Sequence, residues 1–185
     1  MRFILACLAT AAFMAAATRV SAQPAKMTVQ SSAFKDGQPI PLKHSAYGDN
    51  LSPALMWSGL PSGTRELALI MDDPDAPTPQ PFVHWVIYHI PATAKGLPEG
   101  LVTDARPQAP ADLKGAIQGP NGARRTGYFG PRPPAGSGVH HYTFTLYALD
   151  AGVNLAEGLA KQQLLDQIKG HVIGEGKLVG VYEQK

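Results

Sequence analysis

Cysteine is almost missing from this chain. The one thiol, Cys7, lies inside an apolar leader, so once that leader is removed neither a disulfide framework nor a thiolate nucleophile is available. Beyond the leader there is no apolar run near the roughly 20 residues that cross a bilayer, which argues against integral membrane association. Charge of one sign is not in excess either. Setting aside Arg2 and Arg19, the 16 basic residues fall to match the 14 acidic ones, so nothing favours wholesale attraction to nucleic acid or anionic lipid. The G-x-S-x-G elbow of a serine hydrolase is absent, and no Gly-rich loop carries the lysine and helix of a triphosphate site. No H-x-H or H-x-x-x-H spacing occurs, so no native metal site is expected, and no cofactor.

What is present begins with the leader. Arg2 precedes an apolar stretch from Phe3 to Ala17, and Val20-Ser21-Ala22 supplies small residues before Gln23. This is the pattern of a secretory signal peptide over residues 1–22, followed by one domain over 23–185 that is periplasmic or secreted. Gly and Pro are abundant, at 19 and 17 residues, which favours short strands and many turns.

The apolar periodicity supports that reading. Residues 27–34 and 54–57 read as strands, and 40–42 as a short extended piece. From Glu66 to Met71 the run is almost continuously apolar, as in a strand covered on both faces. Strand 82–90 alternates, with His84, Val86 and Tyr88 on one face and Trp85, Ile87 and His89 on the other. Strand 139–149 alternates most clearly: His140, Tyr142, Phe144, Leu146 and Ala148 point inward, and His141 points out. Residues 96–118 read as a long excursion with little regular structure, 159–172 as the one amphipathic helix, and 177–182 as a last strand. One helix among seven or eight strands predicts a mostly β fold, an antiparallel β-sandwich with one or two short peripheral helices.

Two clusters carry candidate chemistry: Asp72-Asp73-Pro74-Asp75-Ala76-Pro77 with His84-Trp85, and Gly127-Tyr128-Phe129-Gly130-Pro131-Arg132-Pro133-Pro134 with His140-His141-Tyr142. Each sets a carboxylate or histidine at a strand mouth beside stiff turns, and the Ala76–Pro77 bond is free to be cis or trans. A histidine beside a carboxylate serves as a charged donor to an anion, as a base, or as a ligand. Asp residues of such a turn also cap their own backbone N–H groups. Ser137 reads as a loop hydroxyl, Arg124-Arg125 as a solvated pair, and His44, His89 and His171 as surface or structural residues.

Taken together, D-P-D-A-P at 73–77, H-W at 84–85, Gly-Tyr at 127–128, Gly-Pro-x-Pro-Pro at 130–134 and H-x-Y at 140–142 resemble the phosphatidylethanolamine-binding protein family, in its bacterial Raf-kinase-inhibitor-like branch. The resemblance extends to Asn50-Leu51-Ser52-Pro53 with Trp57 and to Gly180-Val181-Tyr182. It implies a β-sandwich whose pocket takes phosphate-like anions or phosphorylated head groups. The family's pocket residues map onto Asp73, Asp75, His84, Gly130, Pro131, His140 and Tyr142. His84 and His140 are expected to supply donors or positive charge, Tyr142 its hydroxyl, and the loop near Gly130 its backbone N–H groups. Asp73 and Asp75 are expected to fix the histidine tautomers or to accept from the ligand. The expected function is non-enzymatic binding of a small anionic or phosphorylated ligand. Regulation of a protease or kinase through the pocket rim, and an Asp/His hydrolase, are the alternatives. A homodimer is compatible with the sequence, which names no protein partner.

Overall fold

The computed structural model describes residues 23–108 and 110–185; the expected signal peptide, 1–22, lies outside them. The strands run in chain order as β1 (Ala25–Lys26), β2 (Thr28–Ser31), β3 (Gln38–Pro39), β4 (Leu55–Ser58), β5 (Glu66–Asp73), β6 (Phe82–Pro91), β7 (Gly96–Leu97), β8 (Ile117–Gln118), β9 (His140–Leu149) and β10 (Val172–Tyr182). One helix, α1 (Lys161–Ile168), precedes β10, and single 3-10 turns occupy Leu42–His44 and Ala111–Leu113.

The larger sheet has the order β1-β10-β9-β5-β6-β8, with β3 also paired to β10; the smaller has the order β2-β4-β7. The pairings are antiparallel except that β1 and β3 run parallel to β10. Between the sheets lies the main core, built on Leu55, Trp57, Leu69, Met71, Trp85, Tyr142 and Phe144. The other face of the larger sheet is covered by α1 and the segment before it, through Leu155, Leu159, Leu164 and Ile168 against Ala68, Ile70, Val86 and Tyr88. Strand β5 is central to that sheet and sandwiched on both sides, which explains its unbroken apolar run.

Several boundaries differ from the sequence reading. Strand β5 continues through Asp73, so Asp72 and Asp73 end the strand rather than follow it. The helix is shorter than expected because Val172 leaves it to pair with Leu149. The 96–118 excursion is better ordered than expected. Buried Gln118 accepts from Trp85 Nε1 at 2.7 Å and donates to the carbonyls of Val102 and Asp104 at 2.7 and 2.8 Å, and Leu101, Leu113 and Ala116 join the main core.

Two irregularities break the two-residue period of β6. At its start, Asp72 pairs with Val83 and Met71 with Trp85, so His84 is the extra residue of a bulge. At its end, His89 sits at φ 54°, and Leu67 pairs with Ile90 while Leu69 pairs with Ile87. There His89 Nδ1 meets Glu66 Oε2 at 2.6 Å, and Glu66 Oε1 accepts from the N–H of Val153 at 2.9 Å. The hydrogen bond that His89 donates to Glu66 raises its pKa above the ordinary histidine value, against burial. A raised folded pKa adds stability below about pH 6.5 that is lost as pH rises through the folded value. The unfolding free energy from urea titrations should therefore decline as pH rises above neutral. His89→Asn, which keeps a residue tolerant of positive φ, should flatten that decline; an unchanged profile would remove His89 from the account.

Candidate functional site

At the end of the sandwich where β5 stops and β6 and β9 start lies a cavity of about 340 Å³, lined by Asp73, Phe82, His84, Phe129, Arg132 and His140 among others. Ala76, Pro77, Pro133 and Pro134 form much of the remaining wall, so it is largely apolar around a few polar groups, as ligand sites usually are. A wider groove of about 470 Å³ between β2 and β10 is lined by Lys26, Lys35, Asp36 and Lys177 and holds no histidine.

The polar floor is built by two strands. His140 begins β9 on its inward face, as the alternation predicts, and Asp73 ends β5. His140 Nδ1 donates to Asp73 Oδ2 at 2.7 Å, with both side chains almost completely buried. Asp73 Oδ1 accepts from the N–H of Asp75 at 2.9 Å, so the turn-capping role of an aspartate and the histidine contact coexist in one residue. The other nitrogen of His140, Nε2, lies 3.0 Å from Ser137 Oγ, whose hydroxyl donates to the Pro134 carbonyl at 2.7 Å.

His84 reaches the floor because of its bulge. Strict alternation groups it with Val86 and Tyr88, which pack under α1. The extra residue turns it instead toward Tyr142, with ring centroids 5.0 Å apart and edge-on, while Phe82 and Phe129 flank it at 4.9 and 5.8 Å. Its Nδ1 donates to the Phe129 carbonyl at 2.6 Å. Burial pushes its pKa below the ordinary value, more strongly than that carbonyl and Asp73 raise it. Burial thus favours the neutral form of His84, with its proton on Nδ1. Tyr142 lies fully buried beside the two histidine rings. Burial and the nearby negative charge of Asp73 push its pKa up, so it stays protonated, and its hydroxyl has no hydrogen-bond partner among the described residues.

Three expected contacts fall outside the cavity. Asp75 turns to the outer face, where its Oδ2 accepts from both Nδ1 and the backbone N–H of His141 at 2.7 and 2.8 Å. That hydrogen bond holds the Asp75 carboxyl below its usual pKa. Its partner is exposed because neighbouring strand residues face opposite ways. The N–H of Gly130 is already committed to Asn50 Oδ1 at 2.7 Å, so it is not a free donor to a ligand. The carbonyl of Pro131 accepts from Ala46 at 3.0 Å. Gly130 and Pro131 thus lock the loop onto segment 44–50.

Arg132 is the residue the sequence reading passed over. It is exposed on the rim, forms no ion pair among the described residues, and is the cation of the lining. Its signal was its place in Gly-Pro-Arg-Pro-Pro, where prolines on both sides restrict the backbone that presents it. Among the described residues no group of three His, Asp or Glu side chains converges on a metal-sized position.

Comparison with known proteins follows from this geometry. Residues 30–183 match the family model described as phosphatidylethanolamine-binding protein. A UPF0098 protein of Methanothermobacter thermautotrophicus is 44% identical over 158 residues, covering 85% of this chain and 99% of that one. A Mycobacterium tuberculosis protein named as a candidate lipoprotein, LppC, is 42% identical over 157 residues, covering 85% of this chain and 72% of that one. The crystal structure of E. coli YbcL, titled a new member of the mammalian PEBP family, superposes with a TM-score of 0.77 at 33% identity, covering 87% of this chain and all of that one. With its sandwich, its bulged His-Trp strand and its His-x-Tyr strand, the chain belongs to the phosphatidylethanolamine-binding protein family.

Proposed function

We propose that this protein binds a small anionic ligand, phosphate-like or phosphorylated, in the cavity between the β5, β6 and β9 ends and releases it unchanged. One observation carries the reading: a lone guanidinium, Arg132, stands on the rim of an otherwise apolar cavity whose floor is polar. Arg forks match phosphate and carboxylate oxygens in two parallel hydrogen bonds. His84 Nε2 can accept from a protonated ligand oxygen, and the unpartnered Tyr142 hydroxyl lies beside the rings of the floor. A buried donor without an acceptor is uncommon in folded proteins. The apolar wall of Phe82, Phe129 and the prolines suits a ligand with a carbon skeleton beside its charged group.

Export to the periplasm or the exterior is part of the same proposal. The leader pattern at 1–22 supports it, as does the lipoprotein name of the mycobacterial relative. No helix among the described residues is long and apolar enough to cross a membrane.

Few contacts oppose the lost freedom of a small ligand, so affinity should lie between about millimolar and tens of micromolar. Calorimetric titration with phenyl phosphate tests the reading. Arg132→Gln should weaken binding about 10-fold or more, the loss of one charge-assisted hydrogen bond. Arg132→Lys should recover part of it, since the charge returns without the planar fork. Equal affinity in all three proteins would overturn the proposal.

A further inference from the structure

We propose that Ser137 is an activated nucleophile, set on a Ser137–His140–Asp73 relay at the rim of the cavity and able to take the acyl group of a small carboxylic ester. This goes beyond anion binding: it uses the same cavity but a different atom, and it concerns carbonyl carbon rather than the bound phosphorylated group.

The geometry is that of a nucleophile, a base and an orienting carboxylate. Ser137 Oγ lies 3.0 Å from His140 Nε2, and His140 Nδ1 lies 2.7 Å from Asp73 Oδ2. Both distances are within the reach that proton transfer requires. Asp73 accepts the Nδ1 proton, which places the lone pair of a neutral imidazole on Nε2, toward the serine. The carboxylate cannot swing away, because its Oδ1 is held by the N–H of Asp75. Sequence distance hides the arrangement, since Asp73 and His140 are 67 residues apart and meet only through the β5–β9 pairing.

The serine is also accessible. It is exposed at the tip of a turn between Gly136 and Gly138, both at positive φ (76° and 86°), a backbone shape that presents the side chain outward. Pro134 and His140, its contacts, are part of the cavity lining. In this arrangement the hydroxyl proton is directed to the Pro134 carbonyl. Turning it to His140 needs only rotation about the Cβ–Oγ bond. The candidates to stabilise the oxygen of a tetrahedral intermediate are the N–H of Gly138, next in the chain to Ser137 and without an acceptor among the described residues, and the guanidinium of Arg132, which lines the cavity.

The chemistry balances without a cofactor. Ser137 Oγ bonds to the ester carbonyl carbon as its proton passes to His140 Nε2. The tetrahedral intermediate collapses, the carbon–alkoxy bond breaks, and His140 returns the proton to the departing oxygen, which leaves as the alcohol. Water then attacks the acyl-serine with His140 as base, releasing the carboxylic acid and restoring the hydroxyl.

The test uses the protein from Gln23 to Lys185 with p-nitrophenyl butyrate and a fluorophosphonate probe. The expected result is one probe per molecule, mapped to Ser137 by peptide mass, lost in Ser137→Ala and retained in the turn control Ser62→Ala. Labelling should also vanish when the protein is unfolded in urea, because an isolated serine lacks the relay. Nitrophenol release should fall at least about 100-fold in Ser137→Ala and in Asp73→Asn, provided circular dichroism shows both folded. Labelling on lysine or tyrosine instead, labelling that survives unfolding, or release unchanged in Ser137→Ala would overturn the proposal. Phenyl phosphate titration of the unmodified protein, run beside it, separates the two ideas. Binding without labelling sinks only the nucleophile, and labelling without binding sinks only the anion site.

Discussion

His140→Ala should lower the unfolding free energy by about 3–5 kcal/mol and remove ligand binding with it. The reason lies in Asp73. Asp73 is 3% exposed, and the His140 imidazole is the side chain that donates to its carboxylate, at 2.7 Å. Truncating the histidine leaves that charge buried with one backbone N–H for company, and an uncompensated buried charge costs far more than the pair contributes. Adding Asp73→Asn to His140→Ala should return part of the stability, because the charge is then gone, while binding stays lost. His141→Ala is the contrast. The His141–Asp75 pair is about half exposed, and the backbone N–H of His141 still holds Asp75 at 2.8 Å, so about 0–1 kcal/mol is expected. Urea denaturation of the four proteins checks this. A larger loss for His141→Ala than for His140→Ala would mean that the β9 register is wrong by one residue.

Gly130→Ala should destabilise by about 1–3 kcal/mol or more, by crowding rather than by lost recognition. A Cβ at this position would lie 2.3 Å from the His44 carbonyl oxygen, 2.8 Å from the Ser45 carbonyl carbon and 2.9 Å from the Ala46 nitrogen. All three are backbone atoms, so no side chain can rotate away. The displacement would strain the bonds that hold the loop: Tyr128 Oη to the His44 carbonyl at 2.7 Å, the Gly130 N–H to Asn50, and the Ala46 N–H to the Pro131 carbonyl. Arg132 lies two residues further along the chain, so ligand affinity should fall as well. Asn50→Ala removes the side-chain bond without the clash and should cost about 1–3 kcal/mol for the donor left unpaired. Thermal unfolding and phenyl phosphate titration of both variants separate crowding from hydrogen bonding; a Gly130→Ala protein of unchanged stability would show that this loop yields.

Much of this molecule could be read from one dimension because its signals are local. The two-residue alternation from His140 to Ala148 needs no partner strand to be recognised, and it assigned His140 and Tyr142 to the interior and His141 to the surface. The unbroken run from Leu67 to Met71 announced a strand covered on both sides, as it is between the smaller sheet and α1. Cysteine scarcity, balanced charge and the spaced Pro-Gly motifs likewise narrowed the class before any contact was known. What needed the folded chain was each property that depends on a residue far away in sequence. The bulge that turns His84 toward Tyr142 exists only as a register between β5 and β6. Asp73 and Asp75, two residues apart and alike in composition, take opposite fates because the strand end buries one against His140 and exposes the other to His141. Gly130 is needed because segment 44–50 passes across it. The lowered pKa of His84 follows from burial that only packing produces, and the place of Arg132 on the cavity rim comes from the fold.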